Sequence, residues 1–363
     1  MPETTISPVL IGRIREMEIL DRALRATQIG TGRCILLAGE AGIGKSRLTA
    51  ELGDRAISAN FLILQGYCSE QDSSFPYAPW IDALRAFLAP RSAAETNELL
   101  GAFAPEPVKL LPELSLLMPA TQSTPPLDRA AEKHRLFESL ARFIASLAPA
   151  HPLLIVLEDL HWSDEQSLEL LHFLVRRIVS LSILILGTYR SEDSSPRLGY
   201  HLTELNRERL VEEIQLAPLA RPDVGRMVQA ILKVEGPISP DWLDVLMPLT
   251  EGNPFFVEEI TKSLVQTGAR PGEWDPLHIP RSIQHTVQRR IDELHEGTQH
   301  VLSLASVIGE RFDFALLQEV AAEDDQSLLR MLKELIAAQL IVEQTTDQSG
   351  RKVQLIIFMG ENP

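Results

Sequence analysis

The chain has 363 residues, of which 45% are hydrophobic, and this length is enough for two or three globular domains. Lys and Arg together number 34 against 50 Asp and Glu, which gives a formal net charge of −16. A chain this acidic is a poor general binder of nucleic acid or of anionic membrane, because both carry negative charge. No apolar stretch approaches the ~20 residues of a membrane-spanning helix, and the opening residues lack the pattern of a signal peptide. A cytoplasmic location is therefore expected.

Five short apolar runs in the first 220 or so residues predict strands, and the segments between them have helical patterns. Near-continuous apolar runs that alternate with helices are typical of a parallel sheet covered on both faces, so the sequence predicts an α/β fold. After the third run, Ser163 is predicted to cap the next helix, with Gln166 three residues later completing a capping box. The runs are RCILLAGE, NFLILQGYC, PLLIVLED, LSILILGTYR and LVEEIQLAPL.

The pattern changes after Pro218, where the strand-like runs stop and nearly every segment to about residue 340 is helical. We expect a domain boundary near residues 217–220. A second break is expected at residues 270–280, RPGEWDPLHIP, which are rich in Pro. The two cysteines, Cys34 and Cys68, are too few for a disulfide framework and are expected to be reduced thiols in the core.

The most specific motif is GEAGIGKS, residues 39–46, which matches the P-loop pattern G-x-x-x-x-G-K-[ST] between a predicted strand and a predicted helix. Glycines let the backbone N–H groups surround a phosphate, and the following helix directs its positive end at the same anion. Lys45 would reach the β- and γ-phosphates, and Ser46 would bind Mg²⁺. The alternative is a glycine-rich turn without a ligand. The expected ATP- or ADP-binding residues here are Gly39, Glu40, Ala41, Gly42, Ile43, Gly44, Lys45, Ser46 and Arg47.

Two adjacent acids end the third predicted strand, where a nucleotide-binding sheet holds its metal and its attacking water. Glu158 would orient the Mg²⁺ held by Ser46, and Asp159 would face the water near the γ-phosphate. The alternative is that one acid only caps the next helix. His161 and Trp162, which follow, are more typical of packing than of catalysis.

The fourth predicted strand ends in GTYR, so Thr188 and Arg190 are expected beside the two acids at the carboxyl edge of the sheet. Arg190 could sense whether a γ-phosphate is present. The alternative is a solvated arginine at a strand end.

Together these blocks resemble the STAND branch of the P-loop ATPases, which is related to AAA+ and origin-recognition-type ATPases. The likeness is strongest to the ATPase domains found at the front of LuxR-type regulators, adenylate and guanylate cyclases and protein kinases. IGRIREMEIL is similar to the family's opening box near the adenine, in which Gly12, Arg13 and Glu16 match, whereas Ile14 replaces an acid. VLEDLHWSD and GTYR resemble the metal-binding and sensor strands. In LTEGNPFFVEEI, the likeness implies that Pro254 packs on the adenine, a role compatible with a proline at the first helical position.

The resemblance implies an ASCE-type P-loop domain over residues 1–217, a helical lid over 218–280 and a winged-helix-like domain over 281–345. Residues 346–363 are expected to be a truncated or irregular tail. The helix DQSLLRMLKELIAAQL has an apolar stripe rather than a basic face, so it is expected to pack against the ATPase core rather than to bind DNA.

The end of the chain departs from the family pattern. Family members close the winged helix with Phe-x-His, whose His contacts the β-phosphate of ADP; Phe358 fits the aromatic position, but Gly360 stands where the His is expected. Either the chain is truncated or it works without this contact. The strand VQLIIF, which has no visible cover in the sequence, favours truncation.

The likeness implies an ATP-binding, slowly hydrolysing ATPase that acts as a conformational switch in signalling or transcriptional regulation. Its partner would be another protein or a fused effector domain, and it could also self-associate. Two alternatives stay open. One is an AAA+-like motor acting on DNA or protein, and the other is a regulator that binds DNA directly, which the net charge of −16 disfavours.

Overall fold

The chain forms two compact units in the computed structural model. One unit is Arg13–Ala217, and the other joins Met1–Gly12 to Pro218–Pro363. None of the helices in the described parts of the chain is long and apolar enough to cross a membrane. The structure describes residues 7–71, 75–101, 106–114, 127–193, 195–267, 288, 291–292, 294–309, 311–338, 340–346 and 350–355.

The first unit alternates strands with helices, and each of its strands lies within one of the five predicted apolar runs. The strands are β1 (Arg33–Ala38), β2 (Leu62–Tyr67), β3 (Leu153–Glu158), β4 (Ile183–Tyr189) and β5 (Glu212–Gln215). The helices are α1 (Ile14–Gln28), α2 (Lys45–Ser58), α3 (Ala78–Leu88), α4 (Ala93–Leu100), α5 (Pro107–Leu110), α6 (Arg129–Leu147), α7 (Glu165–Val175) and α8 (Pro196–Arg207).

The five strands form one sheet in the order β2-β3-β4-β1-β5, and every neighbouring pair is parallel. The strand that precedes the glycine motif, β1, is therefore separated by β4 from β3, which carries the two acids. Because all the strands run the same way, the segments that follow β1, β3 and β4 emerge at the same edge of the sheet. This edge is where the candidate site lies.

The central strands are buried on both sides. All six residues of β3 and all seven of β4 are buried, although successive side chains point to opposite faces. Both faces of the sheet are therefore covered, as the unbroken apolar runs predicted, and the predicted α/β fold is confirmed. Cys34 and Cys68 are buried and unpaired.

One local prediction is wrong at the start of α7. The helix is capped by Asp164, whose Oδ1 accepts a hydrogen bond from the N–H of Ser167 at 2.9 Å, and not by Ser163. Asp164 also accepts from the N–H of Tyr77 at 3.3 Å, so its carboxylate serves a second segment of the chain.

The second unit has its own core, which includes Leu246, Val257, Leu302, Leu317 and Leu335. Its helices are α9 (Arg221–Leu232), α10 (Pro240–Thr250), α11 (Pro254–Thr267), α12 (Glu296–Ile308), α13 (Phe314–Ala321) and α14 (Asp325–Ala337). Its strands are β6 (Arg311–Asp313), β7 (Ile341–Thr346) and β8 (Gly350–Leu355).

The expectation that strands stop after Pro218 is wrong. Strands β6, β8 and β7 form an antiparallel sheet in that order. The part of VQLIIF that the structure describes, residues 353–355, lies in β8 and pairs on both sides, so the expectation of an uncovered strand fails there. The same strand lies within residues 346–363, where an irregular tail was expected. Phe358, Gly360 and the predicted break at residues 270–280 lie outside the described residues.

The apolar stripe of α14 includes buried leucines. Leu328, Leu332 and Leu335 are buried in the core of the second unit, together with Val301 and Ala305 of α12. The stripe is therefore buried in the core of its own unit.

Candidate functional site

The glycine motif forms the turn between β1 and α2. Gly39, Gly42 and Gly44 have φ angles of 153°, 77° and 102°, a region that residues with a Cβ rarely adopt. A Cβ on Gly39 would also lie 3.1 Å from the carbonyl oxygen of Leu216. Helix α2 begins at Lys45 without an acidic residue in its first turn. Its positive end is therefore available to an anion.

Lys45 is buried, with 7% of its surface exposed, and its ammonium donates to the carbonyl oxygens of Gly39 at 2.6 Å and Glu40 at 2.8 Å. Burial lowers the pKa of Lys45, and the negative charge of Glu192 opposes that shift. The lysine is thus held against its own loop by two carbonyl groups. Ser46 and Arg47 follow it and are exposed on the first turn of α2.

Arg13, expected near the adenine, is buried and linked to the loop. Its guanidinium donates to the carbonyl oxygen of Ile43 at 2.9 Å and to that of Ala217 at 2.8 Å, and lies 3.4 Å from Glu16. These contacts tie the start of the first unit to its end and to the glycine loop. A role in holding the loop in shape follows directly from them.

The two acids after β3 have different environments. Glu158 is 5% exposed and its Oε1 accepts a hydrogen bond from Nε2 of Gln65 at 2.8 Å. Asp159 has a left-handed φ of 58°, and its N–H donates to Oγ1 of Thr188 at 3.0 Å, while its side chain is 41% exposed. Asp159 makes no side-chain cap to the short helix Leu160–Trp162, and Asp164 caps α7. Neither acid therefore serves as a side-chain cap in the described structure.

His161 lies fully buried beside Asp159. Its side chain has no exposed surface, its Nδ1 is 3.9 Å from Oδ1 of Asp159, and its ring packs against Trp162 with centroids 5.2 Å apart. Neither ring nitrogen has a hydrogen-bond partner among the described residues. Burial lowers the pKa of His161 to about 4, and the charge of Asp159 acts in the opposite direction.

The loop after β4 carries two acids that contact the candidate site, Glu192 and Asp193. Arg190 is 23% exposed and pairs with Asp193 at 3.2 Å, so it is not a freely solvated arginine. Oε1 of Glu192 accepts a hydrogen bond from the N–H of Ala41 in the glycine loop at 2.8 Å. Like Gln65, Glu192 is far in sequence from the group it contacts, and no local motif marks it.

The donor set suits Mg²⁺ bound with a nucleotide. The described residues contain no group of three or more His, Cys, Asp or Glu side chains that could hold a metal ion by themselves. Mg²⁺ usually keeps several waters and binds one or two protein oxygens plus substrate phosphates. The hydroxyl of Ser46 and the carboxylate of Glu158 fit that requirement, with the other ligands coming from phosphate and water.

Gly12 and Pro254 belong to the second unit. Gly12 has a φ of 71°, and a Cβ there would lie 2.7 Å from the side chain of Leu219. Pro254 is the first residue of α11, and Asn253 before it accepts from the N–H of Phe255 at 3.1 Å. Within this unit, the proline takes the helix-start position that was compatible with its expected role.

Three comparisons with known proteins bear on this arrangement. Residues 9–186 match the family described as AAA ATPase domain. The chain is 24% identical over 347 residues to the uncharacterized protein R02095 of Rhizobium meliloti, covering 88% of the chain and 32% of that protein. It is also 24% identical over 233 residues to the peroxide stress-activated histidine kinase mak3 of Schizosaccharomyces pombe, covering 59% of the chain and 9% of the kinase. The chain thus spans less than a third of one relative and about a tenth of the other.

Among solved structures, the Walker-type ATPase PABY2304 of Pyrococcus abyssi superposes with a TM-score of 0.55 at 15% identity, covering 97% of this chain and 95% of the other. This likeness supports the fold. The family match covers the glycine loop, both acids after β3 and most of β4. Residues 9–186 therefore match the AAA ATPase domain family, and the P-loop NTPase fold predicted from the sequence is confirmed.

Proposed function

We propose that the chain is an ATP-binding, slowly hydrolysing regulatory ATPase of the STAND type, which acts as a nucleotide-dependent switch. The observation that carries the proposal is the sheet order. Strands β1, β3 and β4 are parallel and adjacent in the order β3-β4-β1. The P-loop, the two acids and the residues around Arg190 therefore follow three strands that end at one edge of the sheet.

In the proposed mechanism, the N–H groups of the P-loop and the positive end of α2 bind the phosphates. Lys45 leaves the carbonyl groups of Gly39 and Glu40 and meets the β- and γ-phosphates. Ser46 and Glu158 would hold Mg²⁺, which would neutralise phosphate charge in the transition state. Gln65 holds the Glu158 carboxylate in place.

Asp159 is the proposed base that orients the attacking water. Its carboxylate is partly exposed, and its backbone is fixed by the left-handed turn and the bond to Thr188. Because Asp is one methylene shorter than Glu, the carboxylate of Asp159 must act on the attacking water from farther away than a glutamate would, or through a second, relaying water. Turnover below the typical enzyme median of ~10 s⁻¹ follows from that geometry. Arg190 then senses the γ-phosphate after leaving Asp193.

The output proposed is a change of shape. Residues 218–280 are proposed to be the lid and residues 281–345 a winged-helix-like domain, with Gly12 and Pro254 contributing to the adenine site. The sequence matches segments of much longer proteins, one of which is a stress-activated histidine kinase. That observation supports a partner or fused effector domain that receives the signal.

The test is Mg·ATP binding by calorimetry and single-turnover hydrolysis. Lys45→Ala removes a charge-assisted contact, so ATP affinity should fall about tenfold to a hundredfold. Lys133→Ala is the matched control, because Lys133 pairs with Glu169 on the surface. Unchanged ATP affinity in Lys45→Ala would refute the P-loop assignment. Turnover that DNA or a protein raises far above a fast basal rate would instead identify a motor.

A further inference from the structure

The P-loop already has an anion of the protein against it. The carboxylate of Glu192 accepts a hydrogen bond from the N–H of Ala41 at 2.8 Å, and Ala41 is one of the residues expected to surround phosphate. Glu192 lies two residues beyond Arg190, on the loop that follows β4. Since a backbone N–H has one proton to donate, it cannot serve this carboxylate and a phosphate oxygen at full strength together.

The two cationic side chains of the site, Arg190 and Lys45, are also bound by an acid or by carbonyl groups. Asp193 pairs with Arg190 at 3.2 Å, and Lys45 donates to two carbonyl groups of its loop. Among the neighbouring charges, that of Glu192 has the largest effect on the pKa of Lys45, which it raises, whereas burial lowers this pKa. The loop at residues 191–193 thus supplies negative charge to the groups proposed to meet the end of the phosphate chain.

The position of Glu192 indicates which phosphate it opposes. Lys45 is proposed to reach the β- and γ-phosphates, and Arg190, on the same loop as Glu192, is proposed to sense the γ-phosphate. A carboxylate that acts on the charge of Lys45 and shares a loop with Arg190 is therefore assigned to the terminal phosphate of ATP rather than to the phosphates of ADP. Like charges at hydrogen-bonding distance repel, so the carboxylate and a γ-phosphate oppose each other.

We propose that Glu192 is a specificity-determining residue, whose carboxylate competes with the γ-phosphate for the N–H of Ala41 and so favours ADP over ATP. The inference rests on the proposed function, because it concerns the same nucleotide site. Binding of ATP requires the loop at residues 191–193 to leave Ala41. The start of this loop is held in place by Ser191, whose Oγ accepts a hydrogen bond from Nε2 of Gln215 at 3.1 Å.

The experiment measures Kd values of the whole chain for Mg·ADP and for a non-hydrolysable Mg·ATP analogue by calorimetry. Glu192→Ala should lower the Kd for the analogue roughly three- to tenfold. The effect is modest because the Glu192–Ala41 hydrogen bond is exposed, so the carboxylate competes only weakly with the γ-phosphate. The affinity for ADP should change by less than about twofold. Glu192→Gln, which keeps an acceptor oxygen but removes the charge, should give a smaller gain. Glu204→Gln is the control, because Glu204 pairs with Arg207 on α8.

Hydrogen–deuterium exchange supplies a second readout without nucleotide. Residues 39–46 should exchange faster in Glu192→Ala than in the wild type or in Glu204→Gln, because the N–H of Ala41 loses its acceptor. An unchanged ratio of analogue to ADP affinity in Glu192→Ala would overturn the inference while the proposed function stands. A wild-type chain that binds neither nucleotide would overturn both.

Discussion

Glu158 and Asp159 are neighbours with different physical roles. Glu158 is buried and held by Gln65, whereas the Asp159 carboxylate faces solvent. Asp159→Asn should keep Mg·ATP binding and lower single-turnover hydrolysis by roughly 10²–10⁴-fold, because it removes the proposed base. Glu158→Gln should mainly raise the Mg²⁺ concentration needed for ATP binding. If Asp159→Asn hydrolyses ATP at the wild-type rate, the roles are assigned wrongly.

His161 gives a prediction about pH. Burial lowers its pKa to about 4, whereas the unfolded side chain titrates near 6.5. Between these values the unfolded chain binds a proton that the folded chain does not, so stability falls as the pH drops from 6.5 towards 4. At pH 5 this linkage costs roughly 1–2 kcal/mol, and His161→Phe should remove it.

The measurement for His161 is the difference in free energy of unfolding between pH 7.5 and pH 5, which cancels the packing effect of the substitution. The control is His134→Gln, since the side chain of His134 is 67% exposed. That variant should keep the wild-type pH dependence. A wild-type slope in His161→Phe would show that other groups cause the acid sensitivity.

At the scale of elements, the sequence predicted the five strands of the parallel sheet and missed β6, β7 and the start of β8. β1 to β5 were found because their apolar runs are long or flanked by helical patterns. β6 has three residues, and β7 and β8 read IVEQTT and GRKVQL, in which polar residues interrupt the run. Short, half-polar strands of this kind depend on tertiary pairing that periodicity does not contain.

The same limit applies to the candidate site. The P-loop and the two acids are local motifs, and they could be found because their chemistry fixes their spacing. Gln65 and Glu192 lie 93 and 151 residues from the groups they contact. Their roles come from strand order, because β2 lies beside β3 and β4 lies beside β1. Single-sequence patterns do not encode that adjacency.

The contact between β2 and α3 yields a prediction for a glycine. A Cβ on Gly66 would lie 1.8 Å from the carbonyl oxygen of Pro79, so the strand and the start of α3 would have to separate. Gly66→Ala should destabilise the first unit by about 1–3 kcal/mol. Gly199→Ala is the control on α8, where a Cβ meets nothing within 4 Å, and it should stabilise by about 0.5–1 kcal/mol. Urea unfolding measures both.

At the scale of the whole molecule, the chain has two separate hydrophobic cores. One core includes Leu170 and the central sheet, and the other includes Leu317 and α14. The first core lies within Arg13–Ala217 and the second within the other unit. Because each unit buries its own apolar residues, we expect two transitions in differential scanning calorimetry.

Single substitutions and nucleotide should identify these transitions. Leu170→Ala and Leu317→Ala each truncate a fully buried side chain. Each should lower the free energy of unfolding of its own unit by about 2–5 kcal/mol and leave the transition of the other unit in place. Mg·ADP at a hundred times its Kd should add about 2.7 kcal/mol to the transition that Leu170→Ala lowers, because the P-loop belongs to that unit. A single transition that both substitutions shift equally would mean that the two cores unfold together. The nucleotide would then stabilise residues beyond the unit that contains the P-loop, as a switch that couples the two units requires.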